Sequence, residues 1–331
     1  MMDIMAKLRQ KAQESPRTVV FPEGTEERII RAARIAYDSN ISLPILLGDP
    51  QEISTIAQSL NAELTGISII DPLEPGKLDA YVEAYCQDRQ IPEGAARRIL
   101  KRPLYFGAMM VKQGEAEAMV AGLAHATEEV VIASELVIGM QSGVSSPSSF
   151  FLMDIPGFDG PEGNLLIFAD AAVNPDPDPQ QLADIAIASA KSARELLGWT
   201  PRVAMLSFST KGSAMHPHVE KVIQAVQLIK QREPDLCMDG ELQADAAINL
   251  EVAKKKLKET SPVAGRANVL IFPDLDAGNI AYKLVQRLAK AAAYGPVLQG
   301  FAKPVSDLSR GATLEDIVGA IIMTVVRAQA K

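Results

Sequence analysis

Apolar residues recur along this chain in two alternating rhythms. Short continuous runs read as strands at 18–21, 44–47, 118–121, 165–168, 203–208, 269–272 and 296–298. Between them, apolar residues at three- and four-residue spacing predict helices over 25–38, 79–89, 93–113, 127–139, 180–196, 217–231, 279–292 and 314–329. In the first of these, Ile29, Ile30, Ala33, Ile35 and Ala36 form one stripe, and Thr25 is the expected N-cap. The strand runs are continuous rather than alternating, so both faces of the sheet are expected to be covered. That pattern belongs to mostly parallel sheets flanked by helices, an α/β fold. The Ser-, Gly- and Pro-rich segment 139–163 reads as the most loop-like region, and 174–179 as a second loop stiffened by Pro175, Pro177 and Pro179. A domain boundary is expected near 140–150.

Composition narrows the class. The 331 residues carry 33 Lys and Arg against 41 Asp and Glu, a net charge of −8, which argues against non-specific nucleic-acid binding. Cys86 and Cys237 are the only cysteines, too few for a disulfide framework or a four-thiolate zinc site. The N-terminal residues show no secretory leader pattern, and the longest apolar runs, such as 317–326, are short for a bilayer span of about 18–20 residues. The expectation is a cytoplasmic protein without membrane partners.

Several familiar motifs fail. Gly76-Lys77 lacks the rest of a P-loop, and Gly157, Gly160 and Gly163 lead into a strand instead of opening a helix. No Gly-x-Ser-x-Gly elbow exists. His125, His216 and His218 are the only histidines and read as polar loop or helix-start residues, so no metal site is expected.

Four polar strand ends carry the candidate chemistry. Residues 300–316 lead into the last predicted helix, where free backbone N–H groups attract anions. Ser309 adds a hydroxyl and Arg310 a fork of donors suited to phosphate. Thr313 and Asp316 equally fit a capping pair at that helix start. Ser209, Thr210 and Lys211 follow the 203–208 run, where α/β sheets hold ligands, although a plain connecting loop fits as well. Asn279, Tyr282 and Lys283 sit near the start of a helix, and Asp239-Gly240-Glu241-Leu242-Gln243 forms the fourth polar end.

At these residues the chain resembles the phosphate acetyl/butyryltransferase family. The matching segments are Phe21-Pro22-Glu23-Gly24, 104–110, 203–207 with 209–213, 239–243, Ser261-Pro262-Val263-Ala264-Gly265, Phe272-Pro273-Asp274-Leu275, and 303–310 with Asp316. The resemblance implies acetyl transfer between acetyl phosphate and coenzyme A, with coenzyme A as a substrate and no cofactor. It implies two α/β domains, 1–141 with 300–331 and 142–299, of isocitrate/isopropylmalate dehydrogenase-like architecture, an active-site cleft between them, and a homodimer. By resemblance Asp316 is the base for the thiol, and Ser309 and Arg310 hold the acyl phosphate. Arg89, Thr127, Ser209, Thr210, Lys211, Asn279, Tyr282 and Lys283 are the expected substrate contacts. One position departs: Ile132 stands where the family carries an arginine. Three other readings stay open. They are a propionyl or butyryl transferase, a non-catalytic acyl-CoA-binding regulatory homologue, and a decarboxylating dehydrogenase of similar architecture.

Overall fold

The computed structural model describes residues 4–330. In chain order the elements are α1 (Ile4–Glu14), β1 (Arg17–Phe21), α2 (Glu27–Asp38), β2 (Ser42–Leu47), α3 (Pro50–Ser59), β3 (Ser68–Ile70), α4 (Pro75–Arg89), α5 (Glu93–Leu100), α6 (Pro103–Gln113), β4 (Ala118–Ala121) and α7 (Thr127–Val137). There follow β5 (Ser148–Asp154), β6 (Leu165–Ala169), α8 (Pro179–Leu197), β7 (Val203–Leu206), α9 (Pro217–Arg232), β8 (Met238–Leu242), α10 (Ala244–Ile248), α11 (Leu250–Lys256), β9 (Val269–Ile271), α12 (Leu275–Leu288), β10 (Ala292–Gln299), β11 (Val305–Asp307) and α13 (Leu314–Gln329). The chain divides into two compact units. Unit 1 joins the segment through Gln141 to the segment from Phe301 onward, and unit 2 is Ser142–Gly300.

In unit 1 five strands run parallel in the order β11-β4-β1-β2-β3. Val19, Val20 and Phe21 of β1, like all of β4, are buried, as continuous apolar runs require. The chain runs outward from β1 through β2 to β3, then returns to place β4 on the other side of β1. The sheet therefore has its topological switch point between β1 and β4. The α13 helix closes this unit, packing on α1, α2, β1 and β4. Gln329 Nε2 donates to the carbonyls of Lys11, Ala12 and Ser15. Unit 2 has the order β10-β5-β6-β9-β7-β8, with β6, β9, β7 and β8 parallel and β5 antiparallel to both of its neighbours.

Four local expectations are corrected. The stretch 93–113 is two helices, because Pro103 fits the first turn of α6, where no donor is needed. The segment 139–163 is not all loop: it contains β5, whose first six residues are buried. The 279–292 helix starts earlier and stops at Leu288, and Ala292 begins β10. Thr25 does not cap α2; Glu26 occupies that position and makes no side-chain capping bond.

Candidate active site

The carboxyl ends of β11, β4 and β1 meet at the switch point of unit 1, the place where open α/β sheets bind ligands. After β11 the chain turns through Ser309, Arg310 and Gly311, all exposed, into α13. Ser309 Oγ accepts from Gly311 N at 3.3 Å, and Ala312 N donates to Ser309 O at 2.8 Å, which folds the loop into a tight hook. Arg28 holds that hook from outside, its Nη1 lying 3.0 Å from the carbonyls of both Arg310 and Ala312. Sequence reasoning gave Arg28 no role, and its only signal was its place five residues after Glu23. Among the described residues no carboxylate pairs with the Arg310 guanidinium.

Asp316 is both what the capping reading and what the catalytic reading require. Its Oδ2 accepts from Thr313 N at 2.9 Å and Thr313 Oγ1 at 2.8 Å, while Asp316 N donates to Thr313 Oγ1 at 3.2 Å. This is a complete capping box. It occupies one carboxylate oxygen of an exposed side chain, and Oδ1 has no hydrogen bond among the described residues.

Beneath the hook, the loop after β4 wraps a carboxylate. Glu23, 5% exposed, accepts from the backbone N–H groups of Gly122, Leu123, Ala124 and His125 at 2.8–3.2 Å, and from His125 Nδ1 at 2.7 Å. Burial alone would raise its pKa. The His125 bond and the backbone N–H groups of Ala124, Leu123 and Gly122 together outweigh burial and hold it below the ordinary value. The same bond raises the pKa of His125. Gly122 has φ +123°, and a Cβ there would lie 2.4 Å from Asp307 Oδ1 and from Leu308 O. Only glycine lets the β4 and β11 ends approach this closely.

Other expected residues fall elsewhere. Thr127 opens α7, but its hydroxyl donates to Asp307 Oδ2 at 2.5 Å. Arg89 reaches toward Asp88 (3.3 Å) and Glu135 O (3.4 Å), near the far end of α7. Thr127 and Glu135 are eight residues apart, roughly 12 Å along the helix at 1.5 Å per residue. Arg89 is therefore not beside Ser309 and Arg310. Ile132 lies between, 39% exposed, with Leu136 at 43% one turn on, so Ile132 is not a core residue of a rotated helix.

In unit 2 the Ser209–Ser213 loop turns inward. Ser209 Oγ donates to Glu241 Oε1 at 2.9 Å, and Gly212 N to the same oxygen at 2.7 Å. Thr210 Oγ1 bonds Gln243, and Lys211 Nζ bonds Asp239 and Gly240 O. Ser209 and Thr210 are buried, so neither hydroxyl is presented to a phosphate. Lys211 instead borders a cavity of about 570 Å³ at the β8 edge, shared with Lys230, Asp239, Lys256 and Ser261. Asn279 Nδ2 donates to Ala171 O at 3.0 Å, and Tyr282 stacks on Phe151 with ring centroids 4.1 Å apart. Lys283 is exposed over the Tyr282 ring. Among the described residues no three His, Cys, Asp or Glu side chains are grouped to hold a metal ion, and no helix is long and apolar enough to cross a membrane.

The chain is similar to known proteins in both sequence and fold. The family model described as phosphate acetyl/butaryl transferase matches residues 3–325. The phosphate acetyltransferase of Thermoanaerobacterium thermosaccharolyticum is 47% identical, covering 99% of this chain and 100% of that protein. The crystal structure of a phosphotransacetylase from Streptococcus pyogenes superposes with a TM-score of 0.94 at 40% identity, covering 99% and 98% of the two chains. A Salmonella typhimurium chain of the 4-hydroxythreonine-4-phosphate dehydrogenase type, at 11% identity and a TM-score of 0.55 over 94% of this chain and 99% of its own, shares the fold alone.

Proposed function

The chain belongs to the phosphate acetyl/butaryl transferase family, and from that membership we propose that it catalyses reversible acetyl transfer between acetyl phosphate and coenzyme A. One observation carries the reading: Ser309, Arg310 and Asp316 lie exposed on a single hook at the carboxyl end of the unit 1 sheet, with no carboxylate claiming Arg310.

In the proposed reaction Asp316 Oδ1 takes the proton from the coenzyme A thiol. The thiolate attacks the acetyl carbonyl, a tetrahedral intermediate forms, and phosphate leaves with the electrons of the C–O bond. An ordinary thiol near pKa 8.5 and an aspartate near 3.9 are mismatched by about 6 kcal/mol. The Arg310 charge beside the nascent thiolate and the leaving phosphate would lower that barrier, and Ser309 would donate to the developing oxyanion. No acyl-enzyme is required. Coenzyme A is a substrate here, and the scheme uses no cofactor. Arg89 is available for the phosphates of coenzyme A; Ser209, Thr210 and Asn279 support structure instead.

The proposal extends to a homodimer in the cytoplasm. Ile280, Leu284 and Leu288 are 56%, 52% and 80% exposed at four-residue spacing on α12, which packs on the edge strand β10. A two-fold partner on this stripe would cover it. Two free, half-buried cysteines suit a reducing compartment.

The exposed Ile132–Leu136 pair on α7 favours testing longer acyl chains alongside acetyl. The deciding assay follows acyl phosphate-dependent thioester formation from coenzyme A with acetyl, propionyl and butyryl donors. A preference for butyryl overturns acetyl specificity. Binding of coenzyme A without turnover supports the non-catalytic reading.

A further inference from the structure

Two buried carboxyl groups meet beneath the head of α7, and the reaction above uses neither. They divide the available hydrogen bonds very unequally. Glu23 receives four backbone N–H groups and the His125 ring. Asp307, 3% exposed at the end of β11, receives the Thr127 hydroxyl on Oδ2 and, besides that, only the Leu308 backbone N–H, which it shares with Ala121 O. Its Oδ1 is buried without a hydrogen-bond partner, pressed toward Gly122.

The charged groups around Asp307 can be followed element by element. The β1–α2 turn supplies Glu23, and the β4–α7 loop supplies Thr127 and His125, the latter bonded to Glu23 rather than to Asp307. Glu129 in the first turn of α7 accepts from Arg102 and Ala126 N. On the α13 side, Ser306 meets Thr324, a neutral pair. No cation answers Asp307 in this set. Two adjacent anions in a site shielded from water are strongly disfavoured, so the carboxyl group that holds the donors ionises and the other keeps its proton. Burial, with Glu23 adding to it, pushes the Asp307 pKa up to about 7 against the opposing Thr127 hydroxyl and Leu308 backbone N–H.

We propose that Asp307 is a positioning residue for Ser309 and Arg310, and that it acts as the uncharged acid. Leu308 N donates to Ala121 O at 2.8 Å, fixing the inner end of the hook, and Arg28 fixes the outer end. Asp307 sits under the inner end. Ionising it places a second anion beside Glu23, with one oxygen lacking any donor, and loosens the β11–α13 connection that carries both substrate-holding side chains. The inference rests on the acyl-transfer reading for Ser309 and Arg310.

The test compares wild type with Asp307→Asn, an uncharged isostere, measuring kcat and KM from pH 6 to 8. With a pKa of about 7, the protonated fraction of Asp307 falls about tenfold over that range. The ratio of variant to wild-type kcat is therefore expected to climb about tenfold, with KM for coenzyme A changing much less. Thr127→Val removes a bond that opposes the acid form, so the climb of the kcat ratio should move to higher pH, and Thr127→Ser should return it. Infrared difference spectra between wild type and Asp307→Asn read the proton without any need for activity: a carboxylic-acid C=O band is expected at pH 6 and should fade by pH 8. A pH-independent kcat ratio in an active enzyme, or an ionised Asp307 at pH 6, overturns the proposal. Complete absence of acyl transfer overturns the functional reading beneath it, and the infrared band then reports the state of Asp307 separately.

Discussion

The 122–127 loop of unit 1 and the 209–213 loop of unit 2 are built alike, and they end differently. Each follows a parallel strand, contains a glycine, and donates to a buried glutamate: four backbone N–H groups to Glu23 in one, the Ser209 hydroxyl and the Gly212 N–H to Glu241 in the other. In unit 2 that exhausts the loop. Its hydroxyls go to Glu241 and Gln243, and its lysine goes to Asp239. In unit 1 the glutamate fills only the floor, and the neighbouring strand β11 brings in a second loop whose Ser309 and Arg310 stay exposed. A polar loop after a strand can thus spend its donors internally or lie beside an exposed cation. What differs is whether the neighbouring strand end also leads to a cation that no carboxylate among the described residues pairs.

Asp316→Asn should break the comparison most severely. If the unit 1 hook is catalytic, kcat falls about 10²–10⁴-fold, while loss of half a capping box costs about 0.5–2 kcal/mol in urea unfolding. A variant that melts early yet turns over normally would mean that this hook serves the structure alone. Glu241→Ala is the mirror experiment. It leaves the buried Ser209 hydroxyl without its acceptor, so about 1–3 kcal/mol of stability should be lost. KM for both substrates should stay within about twofold. A raised KM with normal stability would return the 209–213 loop to the substrate.

Ile132→Arg sharpens the contrast from the other side. The position is exposed, so stability should change by no more than about 0.5 kcal/mol. A new charge-assisted hydrogen bond to a substrate phosphate contributes about 1.5–3 kcal/mol, lowering KM about 10- to 150-fold. An unchanged KM for both substrates would mean that this face of α7 is not in contact with either anion.

The smallest effect concerns pH. The Glu23 carboxyl is held below its ordinary 4.5, so its contribution to stability is present above that pH and is lost as pH falls through the lowered value. The His125 pKa is raised above 6.5, so its contribution is full below that pH and is lost as pH rises through the raised value. The stability difference between wild type and His125→Asn, followed by urea unfolding, should therefore shrink above pH 6.5. A constant difference to pH 9 would show that His125 does not bind Glu23 as the cation.

The periodicity of the chain gave the α/β class and most of the helices, because parallel strands and amphipathic helices are local signals. It failed where local and tertiary preferences compete. Ser148 and Ser149 begin β5 but read as loop, since serine is a turn former until a sheet pairs it, here with Gln299 and Leu298 of β10. The run Ala291-Ala292-Ala293 favours helix, yet β10 is paired with β5 there. Ser309, Arg310 and Asp316 were legible because they lie together in sequence. Arg28 was not, since its contact with Arg310 spans 282 positions. The partnership of Asp307 with Thr127 was equally hidden, across 180.

Unit 1 is assembled from segments lying on either side of unit 2, and this has a consequence for its biosynthesis. A ribosome working at about 5–20 residues per second needs roughly 10–30 s to pass from the end of the first segment to the start of the second. Throughout that interval β4 has no β11 beside it, and the faces of α1 and α2 that receive α13 stay open, while uninterrupted unit 2 can fold as it emerges. Nascent chains arrested near residue 300 should accordingly show a protease-resistant unit 2 and a protease-sensitive first segment; equal resistance of both would refute this order. Ser309, Arg310 and Asp316 all lie on the late segment, so the stretch that completes the fold is also the one that carries the proposed catalytic residues, and a chain interrupted before it has neither.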